Sequence, residues 1–169
     1  LTYEPVPTEK SSESRSLYQA EACDVYTTDA SGLASARSTF ADPDAHVILP
    51  EIVSKEPLGP VTRHGDNQWG DIVRWTLNAL ISAEELGITK ANVAEMAAAP
   101  TNNPEINRMM GTEGNLGEML GLGADWAVRV IAAEGNYGEI FESNIGSGTI
   151  IGLDRGHNAQ WTDGGDRKS

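Results

Sequence analysis

Residues 23–38 read CDVYTTDASGLASARS, and the way this stretch changes period decides the fold class. Cys23, Val25 and Thr27 alternate with Asp24, Tyr26 and Thr28, which is the two-residue period of a strand with one more apolar face. After Asp29 the pattern changes: Ala, Leu and Arg fall at helical spacing through ASGLASARS. Asp29 sits at the junction. Its carboxylate suits the N-cap of a helix beginning at Ala30, where it can accept a backbone N–H at the positive end of the dipole. It also suits the carboxyl end of a parallel strand, where side chains face the crevice that binds ligands. A carboxylate there would meet an ammonium group. The two roles are compatible, because one oxygen can cap while the other meets a ligand.

The flanks extend the strand–helix alternation. Residues 2–8 read as a short, edge-like strand punctuated by Pro5 and Pro7. SSESRSLYQAEA then predicts a short helix capped by Ser11 or Ser12, with Glu13 in its first turn and Leu17, Tyr18 and Ala20–Ala22 on its apolar side. Strand, helix, strand, helix implies a βαβ unit with parallel pairing and an α/β fold class. ADPD is a turn signal. Two β-branched runs follow, Val47–Val53 and Pro60–Thr62, split by SKEPLGP. That stretch is too proline-rich for helix and reads as an extended connector between two bodies, or as a hinge.

The second half reads as helices. From DNQWGDIVRWTLNALISAEELG, the residues Trp69, Ile72, Val73, Thr76, Leu80 and Ala83 form one stripe, with Asp66 as cap and Gly87 as the left-handed stop. Trp75, Leu77 and Ile81 fall outside the stripe, so this helix should be covered on more than one side. ITKANVAEMAAAP predicts a helix capped by Thr89. NNPEINRMMG predicts one capped by Asn103 with Pro104 in its first position. GADWAVRVIAAEGN and NYGEIFESNIG predict two more. GSGTIIGLDRGHNAQW reads as irregular, and GSGTIIG lacks the G-x-G-x-x-G spacing of a nucleotide loop, so it is taken as a turn.

Composition removes several function classes. The chain has 169 residues and 25 acidic against 12 basic side chains, a formal charge of -13. Such a surface repels phosphate backbones, so nucleic acid is not an expected partner. No run of about 18 apolar residues exists to insert into a membrane. No secretory signal stands at the start, LTYEPVPTEK, and both ends look cut: the first residues have strand composition, and the last, DGGDRKS, are a polar tail. His46, His64 and His157 are scattered, without a second His or a Cys at metal-ligand spacing, and read as surface or loop histidines. No nucleophile elbow, P-loop or H-E-x-x-H motif occurs, so neither an enzyme, a cofactor nor a metal is expected. The single Cys23 is a small buried hydrophobe or half of a pair.

Five strings, in order, carry a resemblance: CDVYTTDASGLASARS, ILPEIVSKEPLGPVTRHGDNQW, IVRWTLNALISAEELGIT, GNYGEIFESNIG and RGHNAQW. The chain resembles, nearly throughout to about Gly165, the periplasmic general L-amino acid-binding proteins of ABC transporters. The resemblance implies a type II periplasmic-binding-protein fold, two α/β lobes closing over an amino acid, of which this chain is the later part. It implies that 1–44 is the second half of lobe 2 and 45–60 the hinge crossing. Residues 61–169 would then be the closing part of lobe 1 with a helix-rich C-terminal extension. Family members grip the ligand's α-carboxylate with an Arg of lobe 1 and a Ser/Gly/Thr helix start of lobe 2, both outside this chain. The α-ammonium ligand matches Asp29, with Thr28 beside it as a lesser contact.

Cys23 would pair in such relatives with a Cys on a neighbouring strand, also outside this chain, and is expected to be free here. Relatives continue past the double glycine with an apolar tail where this chain has DRKS. The implied function is that of a solute-binding subunit of an ABC importer for polar or general L-amino acids, in the periplasm, presenting its closed form to a membrane permease. A truncated chain would bind poorly by itself. The alternative is a non-binding structural fragment that pairs with another chain. An enzyme on this architecture would need a nucleophile–base pair or a metal set, and none is present.

Overall fold

The computed structural model describes residues 2–54 and 58–166, so residues 55–57 of the predicted connector and the last three residues of the tail lie outside the described residues. The chain divides into two compact units. One comprises Leu1–Pro57 with Ile150–Leu153; the other comprises Leu58–Thr149 with Asp154–Ser169.

In the first unit, two helices form: α1, Ser11–Gln19, and α2, Ala30–Ser38. The predicted serine cap of α1 is corrected. The helix begins at Ser11 itself, Lys10 takes the cap position, and no side chain caps it. Ser14 Oγ instead hydrogen-bonds Thr8 Oγ1. No residue of α1 is buried. The unit is held by Ala34, Ala36 and Phe40, which are buried, and by a group of rings around Tyr18. Tyr18 lies 6.3 Å from Tyr26, 5.9 Å from Phe40 and 5.4 Å from His46 between ring centroids. Phe40 meets His46 edge-on at 4.7 Å. These rings tie α1, the run before α2, the end of α2 and the chain after the 3-10 turn Pro43–Ala45 into one cluster.

The predicted strands 2–8, 23–28, 47–53 and 60–62 do not form. Among the described residues only isolated bridge positions occur, at Gly146, Leu153 and Gln160, and no βαβ pairing is made. Alternation and β-branching make a segment fit to be extended; a strand needs a second backbone to complete its hydrogen bonds. No backbone hydrogen bond joins 23–28 or 47–54 to another described segment.

The second unit is helical: α3, Asn67–Glu85; α4, Val93–Ala98; α5, Pro104–Met110; α6, Leu116–Met119; α7, Trp126–Glu134; and α8, Tyr137–Asn144. Asp66 caps α3 by accepting the Trp69 N–H at 3.1 Å, and Gly87 leaves it with φ +68°. Asn103 caps α5 through the Glu105 N–H at 2.9 Å, with Pro104 first in the helix. Thr89 is not the cap of α4. It forms a reciprocal turn with Asn92, whose Oδ1 accepts the Thr89 N–H at 2.7 Å while Thr89 Oγ1 accepts the Asn92 N–H at 3.3 Å, and α4 starts after it.

One core joins Leu80 and Ala83 of α3 with Ile88, Val93, Ile106, Met109, Met110, Ala127 and Ile131. The stripe predicted on α3 is buried only in its C-terminal half. Trp69 and Trp75 are half exposed, while Ile81, outside the stripe, is buried. Asn136 opens α8 with a capping box, and its Nδ2 donates to the Ile88 carbonyl at 2.8 Å. Arg155 closes the C-terminal segment onto α3. Its Nη1 and Nη2 donate to Glu84 Oε1 and Oε2 at 2.9 and 3.0 Å, and its guanidinium lies over the Tyr137 and Phe141 rings.

Candidate functional site

Asp29 is the residue in which sequence chemistry and local geometry meet. It is the N-cap of α2, with the Leu33 N–H donating to its carbonyl at 2.9 Å. Its side chain folds back over the first turn, and the contacts are unequal. Oδ2 accepts the Gly32 N–H at 2.7 Å and the Ser31 hydroxyl at 2.6 Å. Oδ1 accepts only a longer bond from Thr28 Oγ1, at 3.3 Å. Gly32 makes this fold-back possible, since a Cβ there would stand 2.9 Å from Oδ1. Oδ2 is therefore committed to the first turn, and Oδ1, with its single longer bond, retains acceptor capacity.

The Ser31 hydroxyl, then the Gly32 amide, hold the Asp29 carboxyl below the usual carboxylate range, against a smaller opposing effect of burial. The group is thus anionic at neutral pH. No Lys or Arg among the described residues forms an ion pair with it. A part-buried carboxylate with one satisfied oxygen, one open oxygen and no cation beside it is suited to receive an ammonium donor. Thr28, the other predicted contact, is exposed and its hydroxyl points to the same Oδ1. Ser31 was not singled out from sequence. A hydroxyl two residues after a capping Asp is the signal that could have found it.

The remaining candidates resolve differently. His46 is not a loose loop side chain: it is half-buried, and its Nδ1 shares a 2.8 Å hydrogen bond with the Tyr18 hydroxyl. His157 is exposed and pairs with Asp166 at 3.1 Å. His64 lines an open, polar furrow of about 480 Å³ beside the start of α3, with Arg63 and Arg74. A smaller furrow of about 350 Å³ lies against Trp126 and Arg129 of α7. Neither furrow includes Asp29. No group of His, Cys, Asp and Glu among the described residues could hold a metal ion, and no described helix is long and apolar enough to cross a membrane. Cys23 is a half-buried free thiol.

Known proteins place this geometry in context. No protein-family model matches the chain. The glutamate/glutamine/aspartate/asparagine-binding protein BztA of Rhodobacter capsulatus is 61% identical over 165 residues, which is 98% of this chain and 48% of that protein. The general L-amino acid-binding periplasmic protein AapJ of Rhizobium johnstonii is 57% identical, again over 98% of this chain and 48% of the relative. The putative amino-acid ABC transporter-binding protein YhdW of Escherichia coli is 44% identical over the same shares.

Among solved structures, an ABC transporter periplasmic binding protein from Brucella ovis with glutathione bound superposes with a TM-score of 0.86 at 53% identity. That match covers 98% of this chain and 51% of the other. The chain therefore spans about half the length of the curated relatives it matches and has the fold of about half of a periplasmic binding protein. Its helix-rich content fits that partial span.

Proposed function

We propose that this chain is part of the solute-binding subunit of an ABC importer for L-amino acids, and that Asp29 receives the ligand's α-ammonium group with Thr28 beside it. In this reading residues 1–44 belong to lobe 2, residues 45–60 to the crossing, and residues 61–169 to the closing part of lobe 1 with its helical extension. The subunit works in the periplasm, delivers its ligand to a membrane permease and performs no chemistry. The observation that carries the reading is the open Oδ1 of Asp29, set in a chain whose relatives are named as amino-acid-binding proteins over 98% of its length.

The ligand class follows from the same carboxylate. Asp29 can recognise an α-ammonium group but carries no information about the side chain beyond it. Glutamate, glutamine and a γ-glutamyl peptide such as glutathione all present the same free α-amino and α-carboxylate groups. Broad selectivity is what a site built on that shared end would give.

The test replaces the matching half of the Rhodobacter relative with this chain and titrates L-glutamate, L-glutamine, L-leucine and glutathione by calorimetry. The hybrid should bind at least one of them. Asp29→Asn should then weaken binding roughly 10- to 150-fold, the equivalent of a charge-assisted hydrogen bond of about 1.5–3 kcal/mol. Asn also caps well, so the melting curve should stay near the parent's. Unchanged affinity in Asp29→Asn would leave Asp29 as a cap alone, and a folded hybrid that binds none of the four would remove the function.

A further inference from the structure

The carboxylate of Asp29 is more tightly oriented than its capping role requires. The χ2 torsion of an aspartate is broad and two-fold, so a single cap bond leaves the plane of the carboxylate free to swing. Asp66 and Asn103 cap α3 and α5 in that simpler way, with one backbone N–H each and, among the described residues, no hydroxyl on the capping oxygen. At Asp29 the same oxygen, Oδ2, takes two donors, the Gly32 N–H at 2.7 Å and the Ser31 hydroxyl at 2.6 Å. Those two bonds fill its lone pairs and fix the plane. Oδ1 is left with the Thr28 hydroxyl at 3.3 Å, beyond the range of a good O–H···O bond.

Gly32 contributes through what it lacks. A Cβ there would stand 2.9 Å from Oδ1, 3.1 Å from Oδ2 and 3.2 Å from Cγ, so the carboxylate lies against the bare Cα of this residue. Gly32 is in the first turn of α2 and is not among the glycines with positive φ, so its backbone does not demand glycine. Alanine would be the better helix former at that position. The glycine weakens the helix and makes room for the carboxylate.

We infer that Ser31 and Gly32 are positioning residues for the ammonium contact proposed for Asp29: the Ser31 hydroxyl and the bare Cα of Gly32 hold Oδ2 in the first turn and present Oδ1 to the ligand. The inference rests on the proposed function and adds which residues set the strength of that contact and the pH range over which it is made. Ser31 is the larger of the two influences that hold the Asp29 carboxyl low, ahead of the Gly32 amide. Loss of the hydroxyl therefore raises the titration midpoint and narrows the range over which the site is anionic. Displacement of the carboxylate by a Cβ at position 32 acts in the same direction, because it pulls Oδ2 away from both donors.

The experiment has two arms. The first uses this chain without ligand and follows the Asp29 carboxyl carbon by NMR through an acid titration. The midpoint should rise in Ser31→Ala and in Gly32→Ala and stay at the parent's in Ser31→Thr, which keeps the hydroxyl. The second arm uses the hybrid with the Rhodobacter relative and titrates L-glutamate, L-glutamine, L-leucine and glutathione by calorimetry at several pH values. Ser31→Ala should weaken binding roughly fivefold at neutral pH, as one lost hydrogen bond does, and more steeply toward acid than the parent. Gly32→Ala should weaken binding roughly tenfold while its melting temperature stays at or above the parent's, an opposition that a purely structural role does not produce. Ser31→Thr should bind like the parent. If Asp29→Asn weakens binding while Ser31→Ala and Gly32→Ala bind like the parent, the inference is overturned and the proposed function stands. If Asp29→Asn has no effect, both fall together. An unmoved midpoint in Ser31→Ala overturns the inference on the first arm alone, whether or not the hybrid folds.

Discussion

At the scale of one residue, Asp29 caps α2 through Oδ2, the ammonium contact proposed for it would fall to Oδ1, and substitutions can separate the two. Ala removes the cap as well as the charge, so Asp29→Ala should destabilise α2 by about 1 kcal/mol. Asn retains the cap and removes only the charge. Acid titration supplies a second discriminator. The folded carboxyl lies below its unfolded value, chiefly through Ser31 and then Gly32, so its contribution is fully present above the unfolded value of about 3.9 and is lost as pH falls through the lower folded one. Hydrogen-exchange protection of the Gly32 and Leu33 amides, corrected for intrinsic rates, should therefore be level from about pH 7 to 5 and decline only below about pH 4. Asp29→Asn should show no such decline. A decline centred near pH 5 would mean that the Ser31 contact does not hold the carboxylate in solution.

At the scale of elements, what could be read from the chain separates by the range of the physics involved. The starts of α2, α3 and α5 were legible because their caps, Asp29, Asp66 and Asn103, act within three residues of themselves. Thr89 misled because a Thr and an Asn three apart satisfy one another's amides and delay the helix. The strand runs misled in another way. Their residue types were read correctly as extended, but a ladder depends on a second backbone that local sequence does not supply. For the site, Asp29 was legible and Ser31 was not, because a cap is recognised by its own identity and a supporting hydroxyl only by its rotamer.

The Arg155–Glu84 pair was equally invisible, since it spans 71 positions of sequence. It is also testable. Both side chains are less than one-fifth exposed, and Arg155 also donates to the Asn158 carbonyl at 2.8 Å while its buried Nε has no partner among the described residues. Arg155→Ala leaves Glu84 part-buried and uncompensated, which should cost roughly 2 kcal/mol, below the 3–5 kcal/mol of a fully buried pair. Arg155→Lys keeps the charge but loses the bidentate geometry and the stacking on Tyr137 and Phe141, so it should recover only part of that loss. Urea titration with an unchanged m-value would measure both.

At the scale of the whole molecule, the question is whether one half of a clamp can hold a zwitterion. In the proposed function Asp29 would offer one charge-assisted hydrogen bond, worth about 1.5–3 kcal/mol. The α-carboxylate of the same ligand needs a cation or a set of donors within a few ångströms of that point. Arg37 is the cation of α2, but it lies eight residues along the helix from Asp29, roughly 12 Å away at 1.5 Å per residue. No other Lys or Arg among the described residues pairs with Asp29. Association costs an estimated 4 kcal/mol or more before any contact is made. A millimolar Kd requires about 4.1 kcal/mol of net binding free energy, so a single ammonium contact falls short even of that. The chain by itself should give no calorimetric signal with glutamate, glutamine, histidine or leucine at millimolar ligand. Micromolar binding to any of the four would require a carboxylate clamp within these residues, and would make Asp29 one partner of a complete site rather than half of a divided one.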